Sequence, residues 1–412
     1  MKQPPYLVRP PTAILTRGFD PRLSVGSARP AVFRSSTYVF SSPEAAERSF
    51  AIALGKIHPA AGEGPELIYS RLSHPNAEIL EDQIVPLEPE AVSAAVFNSG
   101  MAAIATIFFT LGGPDTSFVY TTPVYGGTQH LITQILEPFG MRGLPAPAGD
   151  SAAIERSIAE ARHLRLVFIE TPANPTLRMT DIQQAVAAAR RRPDPPLVVI
   201  DNTVLGPCFQ HPLRLGADLV VYSATKYLAG FSDMLAGVAL AGDAELISRL
   251  RGARALFGNI LQPDECWLLD GRLPTVHLRM NRQSKNAQHI AEKLVQHPRV
   301  SRVLYPSLFD DPCQIAIRDR QCNYPGAIFS LDLKGGRPAA FEFLRSLRIA
   351  RDAVSLGGVE SLACHPRTTT HSEMTEAQLV AAGIGDSLVR ISIGVEDWRD
   401  LLRDFEQALE RV

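Results

Sequence analysis

The sequence predicts an α/β fold in which a mostly parallel sheet carries helices on both faces and a smaller α+β unit follows it. Short apolar runs alternate with stretches of helical periodicity along the first two thirds of the chain, and this alternation is typical of parallel sheets. A second group of strand and helix patterns begins near Gln288. Because 412 residues are too many for one small core, we expect two domains and an N-terminal arm. The predicted ranges are 1–70 for the arm, 71–287 for the large domain and 288–412 for the small domain.

The bulk composition is that of an ordinary globular protein. Hydrophobic residues make up 45% of the chain, charged residues 20%, and the net charge is −2. This balance gives no support to nucleic-acid binding or to binding of an anionic membrane. The opening MKQPPYLVRP lacks the apolar core of a signal peptide, and no apolar run approaches the roughly 20 residues of a membrane helix. Five scattered cysteines without CxxC pairs predict reduced thiols in the cytoplasm and no metal site.

The large domain is predicted from apolar runs that read as buried strands. The arm over residues 1–49 is rich in proline and turn formers, so an extended segment lying on another surface is expected there. A strand over Leu197–Ile200 ends in Asp201, at the position where open α/β sheets place ligand contacts, although an Asp that caps the next turn is an alternative. The other strands of this domain are predicted over Ala91–Phe97, Ser117–Tyr120, Leu164–Glu170, Leu219–Tyr222 and Met234–Gly242.

One lysine, Lys226, stands directly after the strand in the string DLVVYSATKYLAGFSDMLAG. An unpaired ammonium is costly to bury, so a lysine here is either a salt-bridged surface residue or a reactive amine. A desolvated amine is suited to forming a Schiff base with an aldehyde cofactor. Composition alone favours the salt bridge, and the residues around Lys226 favour the reactive amine.

That string resembles the lysine motif of the pyridoxal-phosphate enzymes of cysteine and methionine metabolism. This family contains cystathionine γ-synthase, the cystathionine lyases, methionine γ-lyase and the O-acylhomoserine sulfhydrylases. The resemblance runs from about Leu15 to the C-terminus. It implies a fold-type I transferase with a seven-stranded type of sheet, and pyridoxal 5'-phosphate as the cofactor. It makes Lys226 the Schiff-base lysine, and Ser223 and Thr225 phosphate ligands.

The same resemblance assigns roles to residues that have ordinary structural explanations when taken alone. Ser99 could simply cap a helix, but the match to SGMAAI implies that Ser99, Gly100 and Met101 hold the cofactor phosphate at a helix N-terminus. The resemblance makes Tyr125 stack on the pyridine ring and take part in proton transfer at the leaving group. It implies that Asn174 bonds the cofactor's 3-oxygen and contacts the substrate, and that Asp201 keeps the ring nitrogen protonated.

Substrate and subunit contacts also follow from the resemblance. It implies that Arg390 binds the substrate α-carboxylate, where a structural salt bridge is the default explanation, and that Ser355 and Val354 lie beside the substrate. It implies that Tyr69 and Arg71 reach the cofactor phosphate of a neighbouring subunit, and Arg71 suits this task through its planar fork of donors. We therefore expect a homo-oligomer, at least a dimer and most simply a homotetramer.

Several positions depart from the family pattern. Phe231 stands where histidine is more common, and His74-Pro75-Asn76 replaces Asn-Pro-Thr. Gly127 replaces the cysteine of typical methionine γ-lyases, and Ala253-Arg254 replaces a Lys-Asp pair near the substrate. The segment Ala51–Leu67 is longer than usual, which indicates a loop insertion.

The expected reaction is γ-elimination on a γ-substituted L-amino acid, giving a 2-oxo acid and ammonia. Cystathionine-processing relatives often carry a glutamate at the position of Val354, which suits a distal ammonium, so valine points to a less charged tail. γ-Replacement, β-elimination and transamination on the same scaffold stay open, and a non-enzymatic role is disfavoured by the full set of site residues. His365 and His371 are expected to support loops or to contact residues that line the site, since neither has a metal-ligand partner at a suitable spacing.

Overall fold

The protein is described by a computed structural model that covers residues 8–58 and 66–412. The strands are β1 Ser93–Phe97, β2 Ser117–Thr122, β3 Arg142–Pro147, β4 Leu164–Glu170, β5 Leu197–Asp201, β6 Leu219–Ser223, β7 Gly237–Ala241, β8 Val300–Leu304, β9 Ile328–Leu333, β10 Arg351–Asp352, β11 Leu362–Cys364 and β12 Leu388–Ser392. The α-helices are α1 Pro10–Thr16, α2 Pro43–Ala53, α3 Pro75–Ile84, α4 Gly100–Leu111, α5 Gly126–Leu131, α6 Ser151–Glu160, α7 Ile182–Arg190, α8 Ala244–Phe257, α9 Pro263–Asp270, α10 Val276–Leu294, α11 Pro312–Gln321, α12 Gly336–Ser346, α13 Glu376–Ala381 and α14 Trp398–Leu409.

The large sheet has seven strands in the order β1-β7-β6-β5-β4-β2-β3. All of its pairings are parallel except those of β7 with β1 and β6. Successive side chains along a strand point to opposite faces of the sheet. In β4, Phe168 packs in the cluster that contains Phe108, whereas Val167 packs with Ile154 and Ile182. Helices therefore cover both faces, and the expected α/β fold is confirmed.

The edge strand β3 was not expected from the sequence. Its residues RGLPAP contain two prolines, and only one side of it pairs within the sheet. Proline lacks the N–H that a central strand needs, so an edge position is where such a strand is tolerated. The apolar pattern that reveals the other strands is absent here, and that is why this one was missed.

The second sheet has five strands in the order β10-β11-β12-β9-β8. Helices α10 and α12 pack on it, α14 packs on these two helices, and Phe343 of α12 and Phe405 of α14 are fully buried. This arrangement is the smaller α+β unit that the sequence predicts. Gln288, the predicted start of the small domain, lies inside the continuous helix α10.

The N-terminal segment is less extended than expected. Helix α1 buries Ile14 and receives a hydrogen bond from Gln83 Nε2 to the Ile14 carbonyl at 2.9 Å. The idea of an extended arm is therefore wrong for Pro10–Thr16, which is anchored on α3 of its own chain. Of the Ala51–Leu67 insertion, the first residues complete α2, and residues 59–65 lie outside the described part of the chain.

Strands β4, β5 and β6 end on the same edge of the large sheet, and their last residues and following loops define one site. Such an edge is where parallel α/β sheets bind ligands, because loops diverge there and leave a crevice. Within residues 8–58 and 66–412, no helix has the length and apolar character to cross a membrane.

Candidate active site

A cavity of about 280 Å³ opens at the carboxyl ends of β4, β5 and β6. It brings together most of the residues that the sequence singles out, although they lie far apart along the chain. The expected residues that line it are Ser99, Gly100, Met101, Tyr125, Asn174, Asp201, Ser223, Thr225, Lys226, Val354 and Arg390. The same wall includes residues that were not expected: Ile104, Glu170, Thr203, Val204, Leu235 and Leu356.

Lys226 follows β6 in a tight turn, and Arg279 holds the next residues by donating to the carbonyls of Tyr227 and Leu228. The Lys226 amine donates to Ser355 Oγ at 3.1 Å. Burial, and to a smaller extent the positive charge of Arg390, lowers the pKa of Lys226 to about 8. Since the described residues pair it with no carboxylate, Lys226 has the properties of a reactive amine rather than of a salt-bridged lysine.

The first turn of α4 forms a close-fitting concave surface against β6 and β7. Ser99 caps the helix by accepting from the Ala102 N–H at 3.0 Å, so the plain capping role exists. A Cβ at Gly100 would lie 2.9 Å from Ser223 Cβ, and one at Gly237 would lie 2.1 Å from the Ser99 carbonyl oxygen. Only glycine fits this close approach, and the first N–H groups of a helix lack intrahelical acceptors, so this surface can hold an anionic group.

Two carboxylates stand side by side at the strand ends, because Glu170 and Asp201 pair in register between β4 and β5. Asp201 accepts from the Thr203 N–H at 3.0 Å and from its hydroxyl at 2.6 Å, which orients the carboxylate at the cavity wall. Burial raises the pKa of Asp201, and burial together with the Asp201 charge raises the pKa of Glu170. A cationic ring nitrogen beside Asp201 would relieve the cost of this buried charge.

Asn174 and Tyr125 reach the cavity from two loops. The Tyr125 N–H donates to Glu170 Oε2 at 2.7 Å, and the Asn174 N–H donates to Glu170 Oε1 at 3.1 Å. The Asn174 carbonyl accepts from His371 Nε2 at 3.2 Å. Tyr125 is 43% exposed, so its ring is accessible at the cavity.

Arg390 projects from β12 and is 2% exposed. It donates to Asn174 Oδ1 at 3.2 Å and to the carbonyls of Val354 and Ser355 at 2.7 and 2.9 Å. Its Nε is buried and has no acceptor, and no carboxylate pairs with it in the described part of the chain. A structural salt bridge therefore does not explain Arg390, and an anionic ligand would satisfy it.

Tyr69 and Arg71 do not line the Lys226 cavity of their own chain. They lie in a second hollow with Arg34, Gln262 and Pro263, where Arg71 donates to the Ala255 carbonyl at 2.6 Å. Tyr69 is 42% exposed. The two residues therefore lie outside the Lys226 cavity, at the surface of the chain.

The departures from the family pattern have local explanations in the structure. Arg254 is buried and paired with Glu81 and the Val96 carbonyl, so it is a structural residue of this chain and not a wall of the cavity, contrary to expectation. Phe231 stacks against the guanidinium of Arg272 at 4.9 Å. His365 and His371 act as loop supports, as expected: His365 bonds Thr368 and the Asp386 carbonyl.

Glu170 and Thr203 were missed as site residues. Glu170 is the last residue of its strand, as Asp201 is of the next, and this shared position was the available signal. Thr203 follows Asp201 by two residues and could have been expected as its hydrogen-bond partner.

A reactive amine, a buried acid and a helix N-terminus around one cavity match the aldehyde, ring nitrogen and phosphate of pyridoxal phosphate. The fold and cavity thus define the class as a pyridoxal-phosphate enzyme. The chain belongs to the family described as "Cys/Met metabolism PLP-dependent enzyme", whose sequence model matches residues 11–410. The family's enzymes are lyases and synthases, and their cofactor is pyridoxal 5'-phosphate.

Individual relatives span several activities. The chain is 39% identical over 401 residues to an L-methionine gamma-lyase of Pseudomonas deceptionensis, covering 97% of this chain and 96% of that one. It is 39% identical over 344 residues to the cystathionine beta-lyase MetC of Bacillus subtilis, covering 84% and 86%. A solved cystathionine gamma synthase of Xanthomonas oryzae pv. oryzae, in complex with cystathionine, matches with a TM-score of 0.89, 33% identity, and coverage of 98% and 99%.

The residues of this chain fit the cofactor. The close-fitting surface at Gly100 and Ser223 leaves no room for a side chain, and Asp201 and Lys226 line the same cavity.

Proposed function

We propose that this enzyme catalyses γ-elimination on an L-amino acid whose Cγ carries a sulfur or oxygen leaving group and whose tail has no distal charge. The observation that carries the proposal is the apolar mouth of the cavity. Val354 is 55% exposed and Leu235 62% exposed, and both line the cavity with Leu356. A distal ammonium facing these side chains would lose hydration without gaining a partner.

The chemistry divides among the residues as follows. When bound, pyridoxal phosphate supplies an electron sink for the substrate's α-carbon. Arg390 would bind the α-carboxylate through its unpaired Nε–H, and Asn174 would fix the Arg390 guanidinium. Asp201 would hold a proton on the pyridine nitrogen. The Lys226 amine, with its lowered pKa, would remove the α-proton as a general base, and the Tyr125 hydroxyl would donate a proton to the departing Cγ substituent.

Gly127 favours a broader substrate range than that of a strict methionine lyase. A Cβ at residue 127 would come within 2.7 Å of Tyr125 Cε1 and 3.2 Å of Met101 Sδ. The Tyr125 ring therefore lies against residue 127 only because that residue is glycine. Any side chain there would move the ring and change the space for the leaving group.

The active unit in this proposal is at least a dimer, most simply within a homotetramer. Arg71 and Tyr69 face a surface hollow rather than the Lys226 cavity of their own chain. A two-fold axis would allow each chain to supply this pair to the phosphate held by its partner. The proposed location is the cytoplasm, on the basis of sparse, unpaired cysteines.

The reaction class is tested with L-methionine, L-homocysteine, cystathionine and O-acetylhomoserine, each supplied alone. We expect ammonia and 2-oxobutanoate from the substrates without a distal charge. Pyruvate as the only keto acid would establish β-elimination and contradict the proposal. Thioether formation on addition of a thiol would instead establish γ-replacement.

The substrate class is tested at Val354. Val354→Glu should raise kcat/KM for cystathionine relative to methionine by about tenfold, since a charge-assisted pair contributes roughly 1.5 kcal/mol. Val354→Gln, of the same size but neutral, is the control and should not produce the change. Cystathionine as the best substrate of the parent enzyme would contradict the argument from Val354.

A further inference from the structure

We propose that Glu170 is a positioning residue of this active site, whose carboxylate sets the relative placement of Tyr125 and Asn174 by accepting from both of their backbone N–H groups. Its two oxygens are used separately, Oε2 for Tyr125 at 2.7 Å and Oε1 for Asn174 at 3.1 Å. The inference rests on the proposed roles of Tyr125 and Asn174 and not on the choice of reaction.

Glu170 is itself firmly held. It is the last residue of β4, its side chain is buried, and its own N–H donates to Thr121 Oγ1 of β2 at 3.0 Å. Tyr125 and Asn174 belong to loops after β2 and β4, which a sheet edge alone does not fix. The carboxylate therefore ties two loops to the rigid sheet.

The hydrogen bonds of Asn174 also connect Glu170 to Arg390, the proposed binding site of the substrate α-carboxylate. The Asn174 side chain accepts from Arg390 at 3.2 Å, and its carbonyl accepts from His371 Nε2. Asn174 is thus bonded through its N–H, its carbonyl and its side chain. Displacing its N–H from Glu170 would shift the acceptor that orients Arg390, while the Tyr125 N–H would lose its own acceptor.

A carboxylate suits this task better than any other side chain. Each of its two oxygens can accept from one of the two N–H groups, whereas an amide offers one acceptor and places an NH₂ donor against the second N–H. Aspartate keeps the carboxyl group but is one methylene shorter, so it cannot reach both loops. These two substitutions separate positioning from a purely electrostatic effect on neighbouring Asp201.

The test compares Glu170→Gln and Glu170→Asp with Asp404→Asn as the matched control. Asp404 is also a buried carboxylate that accepts backbone N–H groups, those of Arg348, Ile349 and Ala350, but it lies on α14 away from the cavity. The probe is glycine, which has no leaving group, and its dissociation constant is read from the absorbance of the bound cofactor. Hydrogen exchange of peptides containing Tyr125 and Asn174 is measured with and without cofactor.

Both Glu170 variants should weaken glycine binding about tenfold and speed exchange in the two peptides, since a backbone N–H loses its acceptor and a buried unsatisfied donor costs about 1–3 kcal/mol. Asp404→Asn should lower the unfolding temperature without either effect. Unchanged glycine affinity and exchange in the Glu170 variants would overturn the proposal. If Glu170→Asp alone behaved like the parent, the charge of residue 170 rather than its reach would explain the effect, and the proposal would again be overturned. Should Glu170→Gln not fold, the milder Glu170→Asp decides. Because glycine is not eliminated, failure here is distinct from failure of the γ-elimination assignment.

Discussion

The amine of Lys226 donates a hydrogen bond to the hydroxyl of Ser355 across 3.1 Å. Lys226 follows a strand of the large sheet, whereas Ser355 lies between β10 and β11 of the small sheet. The reactive amine is therefore oriented by a loop from the other unit of the fold. That loop also offers the carbonyls of Val354 and Ser355 to Arg390, so one backbone segment contacts both the amine and the proposed carboxylate site.

Ser355→Ala should lower kcat about tenfold and leave KM within twofold. The hydroxyl orients the amine that acts as the general base rather than contributing to substrate affinity, and the loss of such a hydrogen bond costs about 1.4 kcal/mol. Ser355→Thr retains the hydroxyl and is the control. Steady-state kinetics with the best substrate measures both constants. A raised KM with unchanged kcat would mean that Ser355 contacts substrate instead of lysine.

The depressed pKa of Lys226 predicts how the cofactor-free protein binds pyridoxal phosphate. Only the neutral amine attacks the aldehyde, so the rate of cofactor uptake should rise with pH and level off with a midpoint near 8 instead of 10.5. Stopped-flow absorbance above pH 7 measures this rate, clear of the phosphate group's own titration near 6.

Arg390 contributes to that depression, and its substitution tests the coupling. Removing the positive charge in Arg390→Met favours the protonated amine, so the midpoint should move to higher pH. Arg390→Lys keeps a charge at the same position and should keep the midpoint near 8. If the parent and Arg390→Met had the same midpoint, burial alone would account for the lowered pKa of Lys226.

The large sheet and the ends of its strands could be predicted because buried parallel strands are continuous apolar runs. Asp201 and Lys226 each follow such a run, and order along the chain was enough to expect them at one sheet edge. β3 could not be found in this way, since an edge strand containing proline has no apolar run.

The role of Glu170 could not be predicted from the sequence for a different reason. Its importance depends on two loops that turn back over the strand end, and their path is set by tertiary packing rather than by local pattern. Arg254 shows the reverse case: family comparison suggested a place near substrate, but the buried carboxylate of Glu81 binds its guanidinium. Residue type alone does not reveal which partner a charged side chain will find.

The buried imidazole of His371 should lower the free energy of unfolding in mild acid. Burial, and then the charge of Arg390, lowers its pKa to about 4, so below pH 6.5 the unfolded chain takes up a proton that the folded chain refuses. Stability is therefore lost as pH falls from 6.5 towards 4, by about 2 kcal/mol at pH 5. Urea unfolding at pH 7 and pH 5 should show an acid loss in His371→Gln that is smaller by about 2 kcal/mol than in the parent. Part of the loss should remain, because burial also lowers the pKa of His74, His277 and His365.

The exposed residue His58 provides the control for that experiment. His58→Gln should retain the full difference between pH 7 and pH 5, because this variant leaves the buried His371 in place. An equal acid loss in His371→Gln and the parent would show that other groups cause it.

The separation of Arg71 from the Lys226 cavity predicts complementation between two inactive chains. In a dimer of Arg71→Ala with Lys226→Ala, one composite site lacks both residues and the other is intact. Random mixing makes half of the dimers hybrid, so about a quarter of the parent activity should return after the chains are unfolded together and refolded. The control for this experiment is a mixture of Asp201→Ala with Lys226→Ala.

Asp201 and Lys226 line one cavity of one chain, so each site of that hybrid keeps a defect and activity should stay absent. An Arg71→Ala and Lys226→Ala mixture that remains as inactive as its parents would mean that each site is built from a single chain. Arg71 would then serve the fold through its bond to the Ala255 carbonyl.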